Sequence, residues 1–240
     1  MSALEALFAD HCTRFAQFIG TIDAYADALV RIGPDHPPEP RWDQVWFPRL
    51  DACAAYTMVR SAVPARIVEI GAGHSTRFMA RAIRDGGLGS HLTVIDPSPR
   101  ATIDGLPIDW IAEPVQRVEM PTLAEGDILF VDSSHVAGPG SDVAHVLHDT
   151  LPALPSGTLV HFHDIFLPDP YPAEWANRRY SEQEAVAGLL GGGGYEPVFA
   201  SRYVVTRMGD IVAGSIVGRL PLMTGAFENS LWLRKIGAAA

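Results

Sequence analysis

The 240-residue sequence predicts an α/β fold in which helices cover both faces of a parallel sheet. Short, almost wholly apolar runs alternate with segments of helical periodicity, and the strongest runs, 66–70, 92–96, 128–132 and 158–164, each have an acidic residue at or beside their end. Apolar runs of this kind are typical of parallel strands buried on both faces. With 48% hydrophobic residues, the chain is long enough for one full-sized domain with an embellishment.

The bulk composition argues against several classes of partner. The formal net charge of −10 disfavours duplex nucleic acid and an acidic membrane surface, because both attract lysine and arginine. The two cysteines, Cys12 and Cys53, lie far apart, which favours a reducing compartment over a disulfide framework. The first residues lack the blocks of a signal peptide, and no apolar run reaches about 18 residues. We therefore expect a soluble, cytoplasmic protein.

The first part of the chain predicts a helical extension. Apolar residues within 3–32 recur three or four positions apart, which predicts one or two amphipathic helices. These helices could pack on the chain's own core or pair with a second subunit in a homo-oligomer. Prolines and aromatic residues, Trp46 among them, dominate 33–48, which predicts either a wall of a substrate pocket or a strut. Residues 50–63 then predict a helix that leads to the first strand.

A glycine turn follows the first strand. Gly71 and Gly73 permit a tight turn and the close approach of a ligand, because neither residue carries a Cβ. We expect Ser75 to cap the next helix, whose free N–H groups favour an electronegative ligand atom. Alone this motif is weak, so its meaning depends on the rest of the sheet edge.

The later part of the chain continues the alternation of strands and helices. Ser181 and Glu184 have the spacing of a capping box at the start of a helix. In order, the predicted elements are a weak strand at 108–112, helices over 141–151 and 181–190, strands at 195–200 and 230–234, and an ambiguous segment at 201–221.

Acidic residues mark the same end of the four strongest strands. These residues are Glu69, Asp96, Asp132 and Asp164. In open α/β sheets, ligands bind outside the carboxyl ends of the strands. Any single acid could be a helix cap or a turn former, but the repetition of the position indicates a shared binding edge.

Two ligands compete for a glycine turn beside acidic strand ends: a dinucleotide and S-adenosylmethionine. A dinucleotide site requires a third glycine where the helix begins, and Thr76 occupies that position. Glu69 would sit badly near a pyrophosphate but suits a ligand that presents an ammonium group and hydroxyls. Asp96 is placed to accept hydrogen bonds from both ribose hydroxyls, with Pro97 and Ser98 flanking the adenine. These features favour S-adenosylmethionine.

Together, the motifs resemble those of a known family. They are Glu69-x-Gly71-x-Gly73-x-Ser75, Asp96-Pro97, Phe130-Val131-Asp132-Ser133-Ser134-His135 and Val160-His161-Phe162-His163-Asp164-Ile165. Over residues 45–236, the chain is similar to class I S-adenosylmethionine-dependent methyltransferases, in particular to the bacterial branch that includes macrocin-type O-methyltransferases. The resemblance implies a Rossmann-like seven-stranded mixed sheet with an antiparallel last strand. It also implies a methyltransferase domain over 65–240, preceded by the extension and proline-rich loop over 1–64.

The resemblance implies a cofactor site along the sheet edge. The loop around 111–115 would lie near the adenine. The predicted S-adenosylmethionine-binding residues are Glu69, Gly71, Ala72, Gly73, Ser75, Asp96, Pro97, Ser98, Asp132 and Ser133.

The resemblance leaves two chemistries open at the strand ends. Macrocin-type relatives bind a divalent metal with an aspartate after the fourth strand and two acids after the fifth, and the matching residues here are Asp132, His163 and Asp164. This set, with one imidazole, would favour manganese, iron or zinc over magnesium. Without a metal, His163 or His135 could act as general base. The predicted catalytic residues are thus His163, Asp164 and His135, and a structural role for the histidines is the third alternative.

The predicted function is O-methylation of a small-molecule hydroxyl, on a secondary metabolite or a glycoside. The acceptor would lie against apolar walls formed by Tyr171, Trp175, Tyr180 and Trp46. Arg178 and Arg179 could hold an anionic acceptor, although adjacent loop arginines are more often solvated. The alternatives are N- or carboxyl-methylation, and a non-catalytic module that retains the adenosyl site.

Overall fold

The computed structural model describes residues 3–33 and 36–237, so Pro34 and Asp35 of the predicted proline-rich loop, and the outer ends of the two predicted domains, lie outside the described residues. Within the described part, seven strands form one sheet in the order β3-β2-β1-β4-β5-β7-β6. The strands are β1 (Arg66–Ile70), β2 (His91–Ile95), β3 (Asp109–Ile111), β4 (Ile128–Val131), β5 (Leu159–Phe162), β6 (Tyr195–Ala200) and β7 (Leu231–Lys235).

The sheet is mixed, as predicted. Strands β1 to β5 pair in parallel, and β7 runs antiparallel to both β5 and β6. The four side chains of β4 and the four of β5 are all buried, which explains their continuous apolar sequence. The predicted fold class is confirmed. The strand order reverses between β1 and β4, and this is the point where an open sheet forms a crevice for a ligand.

Helices cover both faces of the sheet. The α-helices are α1 (Ala3–Asp10), α2 (Cys12–Asp23), α3 (Ala26–Leu29), α4 (Arg49–Ala62), α5 (His74–Gly86), α6 (Asp142–His145), α7 (Leu151–Ala153), α8 (Glu182–Gly191), α9 (Ser201–Arg207) and α10 (Gly209–Gly214). A π-helical turn (Val146–Thr150) joins α6 to α7, so the single helix predicted over 141–151 is divided. Short 3₁₀ turns span Val115–Arg117, Ala173–Arg178 and Val217–Arg219.

The amino-terminal helices pack against the far edge of the sheet. Phe15 of α2 is completely buried and lies 6.0 Å, between ring centres, from both Phe199 of β6 and Tyr203 of α9. Phe8 of α1 extends this aromatic cluster, with its ring 5.6 Å from that of Tyr203. The apolar faces of α1 and α2 are therefore buried within the same chain. In the described ranges, none of the helices has the length and apolar character needed to cross a membrane.

One local prediction needs correction, and one segment that the sequence left ambiguous is now defined. Ser181 does not cap α8 through its hydroxyl, which instead accepts the backbone N–H of Ala137 at 2.9 Å and ties the helix start to the loop after β4. The ambiguous segment 201–221 is largely helical, because it contains α9, α10 and a 3₁₀ turn.

Candidate active site

The glycine turn brings the end of β1 against the end of β4. Gly71 has a φ of +86°, and a Cβ added there would lie 1.8 Å from the carbonyl oxygen of Asp132. Any side chain at position 71 would therefore force the two strand ends apart. Gly73 precedes α5, and its N–H donates to the Thr76 hydroxyl at 3.0 Å. The prediction that Ser75 caps the helix is wrong: Ser75 is the second residue of α5.

The side chain of Glu69 forms hydrogen bonds with the first turn of α5. It is completely buried, and its two carboxylate oxygens accept hydrogen bonds from the hydroxyls of Ser75 at 2.5 Å and Thr76 at 2.6 Å. Burial raises the pKa of Glu69 to about 8, although the hydroxyl donors act in the opposite direction. Glu69 thus lies beneath the turn rather than in the wall of the cavity described below. This corrects the expectation that it meets a ligand ammonium directly.

Asp96 joins the loops that follow β1 and β2. Its carboxylate accepts the backbone N–H of Ala72 at 2.7 Å and that of Ser98 at 2.7 Å. Each oxygen retains a second lone pair, and the side chain lines the cavity. The two backbone bonds hold the carboxylate in one orientation at the strand end.

These loops surround a cavity of about 520 Å³ at the carboxyl edge of the sheet. That volume is within the range of roughly 300–1,000 Å³ that is typical of small-molecule sites. Tyr171 packs behind the wall, with its ring 5.8 Å from that of Phe166 and its hydroxyl accepting the N–H of Gln183. The predicted site residues that line the cavity are Trp46, Gly71, Ala72, Gly73, Ser75, Asp96, Pro97, Ser98, Asp132, Ser133, His135, His163, Asp164, Trp175 and Tyr180.

His163 lies between carboxylates at the inner end of the cavity. Its Nδ1 is 3.4 Å from an oxygen of Asp132 and 3.5 Å from an oxygen of Asp164, and its Nε2 is 3.5 Å from Asp51 of α4. Asp51 is completely buried and also accepts the backbone N–H groups of residues 229 and 230. The ring is thus held between the sheet edge and α4.

His135 has a matching position on the other side of the same carboxylates. Its Nε2 is 3.3 Å from Asp132 and 3.5 Å from Asp164, while its Nδ1 is 2.9 Å from Glu182 at the start of α8. Both histidines and all three of these acids are at least largely buried. The two imidazoles and the carboxylates therefore form one charged cluster, made of residues 51, 132, 135, 163, 164 and 182.

The electrostatics of this cluster favour protonated imidazoles. Burial acts to lower the pKa of His163, but the carboxylates of Asp132 and Asp164 prevail and raise it well above its usual value. The pKa of His135 is likewise raised, against the effect of burial, by hydrogen bonds with Asp132 and Glu182. For Asp132, burial acts to raise the pKa, but the two imidazoles lower it far below the usual range. At neutral pH His135 and His163 are therefore protonated and donate to the carboxylates around them.

Two residues of the cluster have strained backbones. His135 has a φ of +61° and Asp164 a φ of +54°, values that non-glycine residues adopt rarely. The carbonyl of His135 accepts the N–H groups of Ser181 and Glu182, and Asn229 donates to the Asp164 carboxylate at 2.9 Å. Such conformations persist where surrounding contacts hold them, and they are concentrated at functional sites.

The candidate metal set of Asp132, His163 and Asp164 does not fit a metal ion in this arrangement. In the described part of the chain, no group of three or more His, Cys, Asp or Glu side chains has the geometry to hold one. Nδ1 of His163 lies 3.4 Å from Asp132 and 3.5 Å from Asp164, so the ring of this set is already paired with its two carboxylates. We therefore derive no step through a metal.

His161, within β5, is a core residue, whereas His163 follows the end of that strand. Its ring stacks on Phe130 at 3.7 Å between centres, and its Nε2 is 2.9 Å from the Ser230 hydroxyl. Burial holds the pKa of His161 well below its usual value, so the ring is neutral. It lies outside the charged cluster, with its ring centre 6.0 Å from that of His163.

Sequence reasoning missed Asp51, Glu182 and Asn229. Each lies outside the strand-end motifs: Asp51 in α4, Glu182 at the start of α8 and Asn229 shortly before β7. Asp51 carried a signal, because a carboxylate within the otherwise apolar segment 50–59 must find buried partners. For Glu182 and Asn229, no feature of the sequence distinguishes them from ordinary surface residues.

Comparison with known proteins agrees with this site. A family model described as a methyltransferase domain matches residues 68–165, which include the glycine turn, Asp96 and the strand ends of β4 and β5. The search of curated proteins found no match. The match covers 98 of the 240 residues and agrees with the methyltransferase motifs that the sequence predicts.

Several solved structures are similar to this chain over most of its length. The methyltransferase PaMTH1 of Podospora anserina, bound to S-adenosylhomocysteine, is 16% identical, with a TM-score of 0.49 and 95% of each chain covered. The O-methyltransferase TomG of Streptomyces achromogenes, involved in tomaymycin synthesis and bound to S-adenosylmethionine, is 15% identical, with a TM-score of 0.47 over 99% of this chain and 100% of that one. A Bacillus cereus O-methyltransferase bound to S-adenosylhomocysteine is 12% identical, with a TM-score of 0.46 over 92% and 90% of the chains.

Proposed function

We propose that the protein transfers the methyl group of S-adenosylmethionine to a hydroxyl of a small-molecule acceptor. One observation carries this proposal: the same cavity is lined by the glycine turn and Asp96 and by four members of the charged cluster, Asp132, His135, His163 and Asp164. A donor on the turn would thus present its methyl group to an acceptor beside the Asp164 carboxylate.

The donor fits the end of the cavity formed by β1 and β2. The Asp96 carboxylate, oriented by its two backbone bonds, accepts the ribose hydroxyls. The adenine lies between Pro97 and the turn at Val115, both of which line the cavity. The glycine turn and the first N–H groups of α5 receive the amino-acid portion. Glu69 contributes indirectly, because it fixes that turn from below.

The acceptor lies toward Asp164. The sulfonium is an activated donor, so the protein mainly aligns the hydroxyl with the methyl group and removes its proton. As the new oxygen–carbon bond forms, the sulfur–carbon bond breaks and its electrons remain on sulfur, giving S-adenosylhomocysteine. The hydroxyl proton passes to the Asp164 carboxylate. Protonated His135 and His163 hold Asp132 and Asp164 in place and do not themselves act as bases.

Calorimetry with S-adenosylhomocysteine, followed by a turnover assay, tests the proposal. We expect binding by the wild type, and Asp96→Asn to weaken it about tenfold or more through loss of charged acceptors for the ribose. The control is Asp104→Asn, a change at an exposed acid outside the cavity wall. Asp164→Asn should preserve binding but reduce turnover by about tenfold or more.

Clear outcomes would contradict the proposal. Absence of heat together with no rise in melting temperature on adding the ligand would remove the donor assignment. Full turnover by Asp164→Asn would remove the base. Product mass and fragmentation across an acceptor screen distinguish a methylated oxygen from a methylated nitrogen or carboxyl group.

A further inference from the structure

Arg178 lines the cavity on the side of Asp164. It is the last residue of the 3₁₀ turn Ala173–Arg178, and its guanidinium carbon lies 3.8 Å from the centre of the Trp175 ring and 5.5 Å from that of Tyr180. Stacking of this kind fixes the plane of a guanidinium but leaves its N–H groups free, because they lie in that plane. Arg178 is thus oriented before any ligand arrives.

The hydrogen-bonding capacity of Arg178 is almost unused. Among the residues that the structure describes, its polar neighbours are the Tyr180 hydroxyl at 3.4 Å and the Asp164 carboxylate at 4.0 Å, the latter beyond hydrogen-bond reach. A guanidinium has five N–H donors, and this side chain is 40% exposed. Arg178 therefore presents a planar guanidinium with unused N–H donors to the cavity, beside Asp164.

Other nearby arginines are placed differently. Arg179 is exposed, has a φ of +56° and is not part of the cavity wall. Arg100 lines the cavity, but it packs beside Gly73 with its guanidinium carbon 4.4 Å from the centre of the Trp46 ring, at the end assigned to the donor. The structure thus distinguishes Arg178, which lines the cavity, from Arg179, which does not, although the sequence alone does not distinguish them.

We propose that Arg178 binds a carboxylate of the acceptor, so that the acceptor is a hydroxy acid whose hydroxyl is methylated beside Asp164. This inference rests on the function proposed above. A planar guanidinium matches a carboxylate through two parallel hydrogen bonds. A phosphate dianion fits less well, because the Asp164 carboxylate lies 4.0 Å from the guanidinium and would repel the second charge. A cationic acceptor would be repelled by Arg178 itself.

The test compares acids with their neutral amides on the protein saturated with S-adenosylhomocysteine. The probes are 3,4-dihydroxybenzoate with its amide, and glucuronate with glucuronamide, titrated by calorimetry or by ligand-observed nuclear magnetic resonance. We expect one acid or both to bind about tenfold or more tightly than the matching amide. In Arg178→Ala this preference should fall to about twofold or less, and Arg178→Lys should restore only part of it. Arg179→Ala, one residue away, should retain it.

The outcomes are distinguishable. If neither acid binds better than its amide, or if Arg179→Ala abolishes the preference as fully as Arg178→Ala, the inference is wrong. Tighter binding of glucose 6-phosphate than of glucuronate would also overturn it in favour of a phosphate ligand. In these cases intact binding of S-adenosylhomocysteine leaves the donor assignment standing, whereas loss of that binding in the wild type removes the proposed function itself.

Discussion

Asp132 and Asp164 each contact both His135 and His163, so the identity of the proton acceptor depends on a cluster and not on one residue. From residue types alone, the histidines could act as a general base, belong to a set of metal ligands or have only a structural role. Contact between the rings and the carboxylates favours the protonated imidazole, which cannot act as a base. The sequence could identify the right residues but not their charges, because a pKa depends on neighbours brought from other elements.

At the same scale, Glu69 gives the fold a pH dependence. Its pKa is about 8 in the folded protein, above the value of 4.5 that is usual for the side chain, so the folded state binds this proton more tightly than the unfolded chain. Its contribution to the free energy of unfolding is complete below about pH 4.5 and is lost as the pH rises towards 8. Glu69→Gln, which imitates the protonated form, should melt with less difference between about pH 6 and pH 8.5 than the wild type.

Thermal denaturation of both proteins at the two pH values measures this effect. Glu119→Gln, at an exposed acid, is the matched control and should behave like the wild type. An identical fall in melting temperature for Glu69→Gln and the wild type would show that Glu69 does not contribute to the pH dependence.

At the scale of secondary-structure elements, the turn between β1 and α5 contacts residues at both ends of the cavity. It connects the donor end, through Ala72 and Asp96, with the charged cluster, through the close approach of Gly71 to Asp132. The sequence predicted this turn from two glycines but assigned the cap to Ser75. A hydroxyl near a helix start can bond to several partners, and the buried carboxylate of Glu69 selects among them only in three dimensions.

Gly71→Ala should separate the ends of β1 and β4. The new Cβ would meet the Asp132 carbonyl oxygen at 1.8 Å, and the φ of +86° is itself unfavourable for alanine. We expect a loss on the order of 3 kcal/mol in the free energy of unfolding, together with weaker binding of S-adenosylhomocysteine. Denaturant titration and calorimetry measure the two effects.

Gly20→Ala is the matched control for that substitution. Gly20 lies within α2, and a Cβ there meets nothing within 4 Å. Alanine should therefore stabilise the helix by up to about 1 kcal/mol. Equal stability of Gly71→Ala and the wild type would show that the strand ends separate without cost, contrary to the packing described here.

At the scale of the whole molecule, α1 and α2 form part of the core of the sheet domain. Their apolar residues could equally have bound a second subunit, because periodicity identifies an apolar face but not its partner. In the folded chain, Phe15 packs on Phe199 and Tyr203. The division at residue 64 into extension and domain stays a prediction, as does a homo-oligomer.

Phe15→Ala tests whether these helices unfold together with the sheet. Removal of a completely buried phenylalanine should cost about 3–5 kcal/mol. We expect one calorimetric transition at a lower temperature, because α2 packs directly on β6. Gln17→Ala, at an exposed position of the same helix, should change little. A separate early transition in Phe15→Ala, with the main one unmoved, would instead show that the extension is an independent unit.

The sequence by itself determined the alternation of strands and helices, the glycine turn and the acids at the strand ends. These features depend on local backbone preference and on burial of apolar runs, which residues close in sequence specify. Tertiary structure alone decided that Glu69 lies beneath the turn, that the histidines are paired with carboxylates, and that Arg178 faces the cavity while Arg179 does not. Those outcomes depend on distances between residues remote in the chain, and distance sets both hydrogen bonding and charge.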